Sequence, residues 1–199
     1  MSAADITTLA TMARWAPGAR ERLQQAALDA FETYGFDATT VASIAAVAGV
    51  TERTFYRHFA DKREVLFDPE HALETAFSRA AVAQDPDIGL RDLIRAVLRD
   101  VAVLCPEEAR ADARRRGAII ASDAGLQERE ALKLQRITAA LERAFQERGE
   151  SARRAQLAAG LCVLAFRTGH AAWLAEGETR SLDGLCGTML ASATLVLAK

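Results

Sequence analysis

The chain has 199 residues, half of them apolar, with 25 Lys and Arg against 27 Asp and Glu for a net charge of −2. That length suits one ordinary domain or two small ones with real cores, and a charged fraction of 26% argues against wholesale disorder. Near-neutrality excludes a protein that coats nucleic acid through bulk basicity, yet leaves room for a local basic patch.

Forty-three residues are alanine, the best helix former, and no proline follows Pro106. Strand-type runs are scarce, so the predicted class is all-α. Residues 1–18 read as an N-terminal arm ending at Trp15-Ala16-Pro17-Gly18. The first firm helix is predicted from Ala19 to Tyr34, with Leu23, Ala27, Phe31 and Tyr34 at the spacing of one face and Gly35 as its stop. A second helix opens at Thr39-Thr40 and ends at Gly49. A third runs from Glu52 to His58 behind a Thr51 cap. Asp61, with Glu64 three residues on, signals the start of a fourth helix over 62–83 that links the first three helices to the rest of the chain. Longer amphipathic helices follow at about 89–104, 107–121, 124–148, 152–176 and 181–197, with breaks at Asp85-Pro86-Asp87, Pro106, Asp123, Gly149 and Gly177.

Three short helices within 19–59, two joined by a tight glycine turn, form a helix-turn-helix pattern. Gly49 meets the need for a sharp backbone turn, and Ala45 lets the second and third helices approach. Ile44, Val50 and Phe55 seal the small core. The third helix then offers Thr51, Glu52, Arg53, Thr54, Arg57 and His58 outward, short and polar as an element entering the major groove must be. Residues 51–63 carry Arg53, Arg57, Lys62 and Arg63 against Glu52 and Asp61, a positive patch on a mildly acidic chain.

The stretch from Thr39 to Lys62 resembles the DNA-binding signature of TetR-family transcriptional regulators. The resemblance rests on Thr40, Ile44-Ala45, Ala48-Gly49-Val50, Thr51, Thr54-Phe55-Tyr56, Phe59 and Lys62, and extends over about residues 19–67. Arg53 and Ala60 depart from the commonest pattern, which has glycine and proline there. The resemblance implies phosphate contacts by Thr40, Tyr56, His58 and Lys62. It makes Thr51, Arg53, Thr54 and Arg57 candidates for base edges or nearby phosphates, with Arg53 suited to guanine.

The resemblance also implies that residues 68–199 form a helical ligand-binding and dimerisation domain. A homodimer would bind a palindromic operator on double-stranded DNA, with a small-molecule inducer. Leu157, Leu161, Ala165, Leu185, Met189 and Ala193, on the last two helices, are the expected dimer-interface residues. Phe166, Arg167, His170 and Trp173 lie within two turns of one helix. They read either as ligand contacts on a shared face or as core and interface residues. The cluster Arg110, Arg114, Arg115 and Arg116 reads as a solvated helix face, and Cys162 as core.

No phosphate loop, dinucleotide fingerprint or Glu-x-x-His pair is present, so catalysis, cofactors and metals are not expected. Three cysteines in apolar helical settings suit a reducing, cytoplasmic compartment. No secretory leader is evident. The longest apolar run, Leu157–Phe166, is well short of the about 20 residues of a membrane span, so a soluble protein with no membrane partner is expected. Two other readings stay open on the sequence: a regulator of the same fold controlled by a protein partner, and an all-α adaptor without DNA binding.

Overall fold

The computed structural model describes residues 18–67 and 72–196; the arm expected before Gly18 lies outside them. The chain divides into two compact units, Met1–Phe67 and Asp68–Lys199, and all regular structure among the described residues is helical.

In the first unit α1 (Ala19–Tyr34), α2 (Val41–Val47) and α3 (Glu52–His58) pack mutually. Gly35 closes α1 at φ 82°, and Gly49 takes φ 68° in the turn between α2 and α3. Both lie in the left-handed region where a Cβ is penalised. Thr40 and Ser43 form a capping box on α2: each side-chain oxygen accepts the other residue's N–H, at 3.1 and 3.2 Å. Thr51 caps α3 through the Thr54 N–H at 3.2 Å. The core is Leu23, Phe31, Phe36, Ile44, Phe55 and Phe59, with Phe31 5.1 Å from Phe36 and Phe55 5.4 Å from Phe59 by ring centroids.

The predicted helix from residue 62 does not form over 61–67. Asp61 Oδ1 accepts the N–H groups of Arg63 and Glu64, as a cap would. The chain then continues as successive three-residue turns, Leu66 to Arg63 and Phe67 to Glu64. Val65, Leu66 and Phe67 are all buried. Three consecutive buried residues sweep about 200° around a helix, too wide for one packed face, so burial wins over the helical path. Residues 68–71 lie outside the described segments.

The second unit contains α4 (Ala72–Ala83), α5 (Leu90–Ala102), α6 (Arg110–Ala121), α7 (Ala124–Glu147), α8 (Ala152–Trp173) and α9 (Leu182–Val196). A 3-10 turn, Glu107–Ala109, precedes α6. Helix α8 packs against α5, α7 and α9. Its core side includes Ala155, Ala159, Cys162, Phe166 and Trp173. Gly169 marks the tightest approach: a Cβ there would meet Cys186 Sγ at 2.8 Å and Cys186 Cα and N at 3.0 Å. Only a residue without a Cβ lets the α8 and α9 backbones lie this close.

The arginine cluster at the start of α6 is only partly a solvated face: Arg114 is exposed and Arg115 and Arg116 are half-buried. Arg110 is buried; it donates to the carbonyls of Glu178 and Arg180, pairs with Glu107 at 2.8 Å and lies over the Trp173 ring at 4.9 Å. Arg114 donates to the carbonyls of Leu174 and Ala175 at 2.8 and 3.2 Å. Those carbonyls belong to the end of α8 and the turn beyond it, where unpaired acceptors and the negative end of the helix dipole attract cations. Among the described residues no helix is long and apolar enough to cross a membrane.

Candidate nucleic-acid interface

Helix α3 is amphipathic over only two turns. Phe55 is fully buried, which turns Glu52, Arg53, Tyr56 and Arg57 outward; Tyr56 is 57% exposed. Thr40 and Thr51 are also exposed, at the starts of α2 and α3. Thr54 is half-buried, and its hydroxyl lies 3.1 Å from that of Thr51. Arg53 and Arg57 thus stand free of the unit's core on its short polar helix, as a pair of cations with Tyr56 between them in sequence.

Two residues expected at phosphates make contacts within the protein. Lys62 Nζ donates to the carbonyls of Phe36 at 2.7 Å, Thr39 at 3.1 Å and Asp37 at 3.3 Å, and sits 4.3 Å from the centroid of the Phe36 ring. An ammonium has three N–H donors, and three carbonyls take them. His58 is half-buried, with Nε2 enclosed and lacking a hydrogen-bond partner. It packs beside Phe59 and does not present that nitrogen outward.

Arg22 and Ser43 escape the sequence reading. Arg22 Nε donates to Ala48 O at 3.2 Å, tying α1 to the glycine turn. Nothing in the sequence signals a contact across that separation. Ser43 was readable, because Thr-x-x-Ser has the spacing of a reciprocal cap.

In the second unit the four candidate ligand residues separate. Phe166 and Trp173 are core residues. His170 lies between them, 5.8 Å from the Phe166 ring and 5.7 Å from Trp173, while Phe77 meets Phe166 edge-on at 5.2 Å. Burial holds the His170 imidazole below its ordinary pKa; Lys133 and Arg116 push the same way and Glu130 opposes them. Lys133 and Glu130 pair at 2.8 Å. Arg167 does not share this face. It is exposed and lines a groove of about 580 Å³ between α7 and α8, with Leu134, Thr138, Glu142, Gly160 and Leu164.

The expected dimer residues also divide. Ala165 and Leu185 are buried within the unit, at 2% and 0% exposure, and so belong to its own core. Leu161, Met189 and Ala193 are half-buried. Leu157 is 69% exposed and Leu164, outside the expected set, 44%. With Gly160 they form an outward apolar strip on α8, and Gly184, Thr188 and Ala191 are exposed on α9. Burial raises the thiol pKa of both Cys162 and Cys186, the latter to about 12, so neither is a ready nucleophile.

Residues 23–68 match the family described as bacterial regulatory proteins, tetR family. A curated relative, the HTH-type transcriptional regulator TcmR of Streptomyces glaucescens, is 39% identical over 83 residues. That match spans 40% of this chain and 37% of the length of the relative. Over nearly the whole chain the fold is similar to that of SmeT, described as the repressor of the Stenotrophomonas maltophilia multidrug efflux pump SmeDEF. The TM-score is 0.55 at 20% identity, covering 92% of this chain and 90% of that one. A TetR-family regulator from Mesorhizobium loti gives a TM-score of 0.52 at 24% identity, covering 90% and 95%.

Proposed function

We propose that this chain, whose residues 23–68 match the tetR family of bacterial regulatory proteins, is an all-α DNA-binding transcriptional regulator and not an enzyme, and that it acts as a homodimeric, cytoplasmic repressor released from an inverted-repeat operator by a small molecule. The observation that carries the DNA side is the outward set on α3: Arg53, Tyr56 and Arg57 are exposed around a buried Phe55. Arg53 reads a guanine through its two-pronged guanidinium, and Tyr56, Arg57 and Thr40 hold phosphates. Thr51 and Thr54, with their hydroxyls against each other, contribute at the edge of the same surface.

The outward leucines of α8 support a second copy as the partner of the second unit. Exposed Leu157 and Leu164 flank Gly160, so a facing helix can approach closely and cover them. A ligand that favours a dimer with mis-spaced α3 helices lowers DNA affinity by population shift.

The test is binding to the DNA immediately upstream of the protein's own gene, followed by footprinting. Affinity falls steeply with salt, and two protected patches lie about 34–36 Å apart or somewhat beyond along the duplex. Arg53→Ala relaxes the choice at one base pair and costs about 1–3 kcal/mol against the preferred sequence. Salt-independent retention, or a single patch, overturns the reading.

A further inference from the structure

We infer that Lys62 is a positioning residue of the DNA-reading unit and not one of its phosphate ligands. Its ammonium reaches back from the turns after α3 to the loop between α1 and α2, where the carbonyls of Phe36, Asp37 and Thr39 surround it. The Phe36 ring covers another side at 4.3 Å. With three donors on three carbonyls, no N–H remains for a phosphate oxygen unless a contact inside the protein breaks.

The place of that clamp gives it a function. Thr39 is buried, and its hydroxyl donates to Gly35 O at 2.8 Å and lies 3.2 Å from Ala30 O, which ties the same loop to the end of α1. The next residue is Thr40, which caps α2. Lys62 itself is held from behind, because the preceding Asp61 accepts two N–H groups of the turn that carries it. A continuous set of contacts therefore runs from Asp61 through Lys62 to the loop that delivers Thr40. Removing the ammonium leaves three carbonyls without their donor and frees the loop to shift, so Thr40 and α2 lose their height and angle on the duplex.

This rests on the proposed contact between Thr40 and the DNA, and the experiment separates the two. Lys62→Met keeps the stem and removes the charge. Hydrogen exchange without DNA comes first: amides of residues 36–43 exchange faster in Lys62→Met, while those of α1 stay protected. Unchanged exchange at 36–43 overturns the inference whatever the DNA result.

Binding to the upstream DNA follows, at a temperature where both proteins are fully folded. Lys62→Met weakens binding about tenfold, the scale of one charge-assisted contact. The slope of log K against log salt stays that of the wild type. A lysine in contact with phosphate would instead lower that slope by about 0.9. Combined with Thr40→Val, the double variant binds no worse than the weaker single one, because both changes act through one contact. A purely stabilising lysine would lower the melting temperature and leave the affinity of the folded protein intact. Additive losses with a reduced slope make Lys62 a phosphate ligand and refute the inference. If the wild type itself fails to bind, the proposed function falls, while the exchange result still decides the clamp.

Discussion

In the unit ending at Phe67, the rings of Phe31, Phe36, Phe55 and Phe59 and two cationic side chains on backbone carbonyls hold three short helices. In the unit beyond it, long helices rich in alanine lie close together, and the tightest contact is a missing side chain, at Gly169. The contrast follows from helix length. A seven-residue helix such as α3 has too little surface to be held by a stripe of small residues, so it is anchored by one large ring and its caps. A 22-residue helix such as α8 can distribute its burial over many small contacts, and becomes sensitive to backbone spacing.

The contrast can be broken at its strongest point in each unit. Phe55→Ala empties the centre of the small unit and costs about 3–5 kcal/mol; urea unfolding followed by circular dichroism measures it, and a loss near zero would mean that the caps alone hold α3. Gly169→Ala places a methyl against Cys186 backbone atoms that cannot swing aside. It costs about 1–3 kcal/mol, whereas Gly117→Ala, whose methyl meets only the end of the Leu174 side chain at 3.4 Å, is neutral or mildly stabilising through helix propensity. Equal effects at the two glycines would deny the close crossing.

The smallest effect is a pH dependence. The folded pKa of His170 is lowered, so between that value and the unfolded pKa of about 6.5 the unfolded chain binds more protons. The stability His170 contributes is complete above pH 6.5 and declines as pH falls through this window. His170→Phe removes that decline and leaves the carboxylate contribution at lower pH. An unaltered profile would place the imidazole in water.

The first unit is more legible from sequence than the second, and the reason is physical. A glycine at positive φ, two threonine caps and a buried phenylalanine occur at spacings that only one local geometry satisfies. What escapes there is the direction of cations: Lys62 and Arg22 meet carbonyls, which every residue possesses, so spacing alone cannot show whether a cation faces inward or outward. In the second unit the helix limits fall within a few residues of expectation because they depend on Pro106, Asp123 and Gly149. The faces do not. Ala165 and Leu185 are as apolar as Leu157, and only packing separates core from surface. The 61–67 segment departs for a similar reason, since its cap promises a helix and its three consecutive apolar residues require burial on several sides.

The clamps on main-chain carbonyls bear on how this protein tolerates mutation. Lys62, Arg110 and Arg114, like Arg148 on the carbonyls of Ala81 and Gln84, each hold a partner that no amino-acid substitution deletes. An ion pair can be lost from either end; these contacts can be lost only from the cation's. Within the loops they grip, exposed positions such as Asp37, Ala38, Ala175 and Glu176 are therefore free to drift in side chain while the chain keeps its path. A mutational scan should find them permissive around a few intolerant lysine and arginine positions, with no compensating partner position to reveal the link.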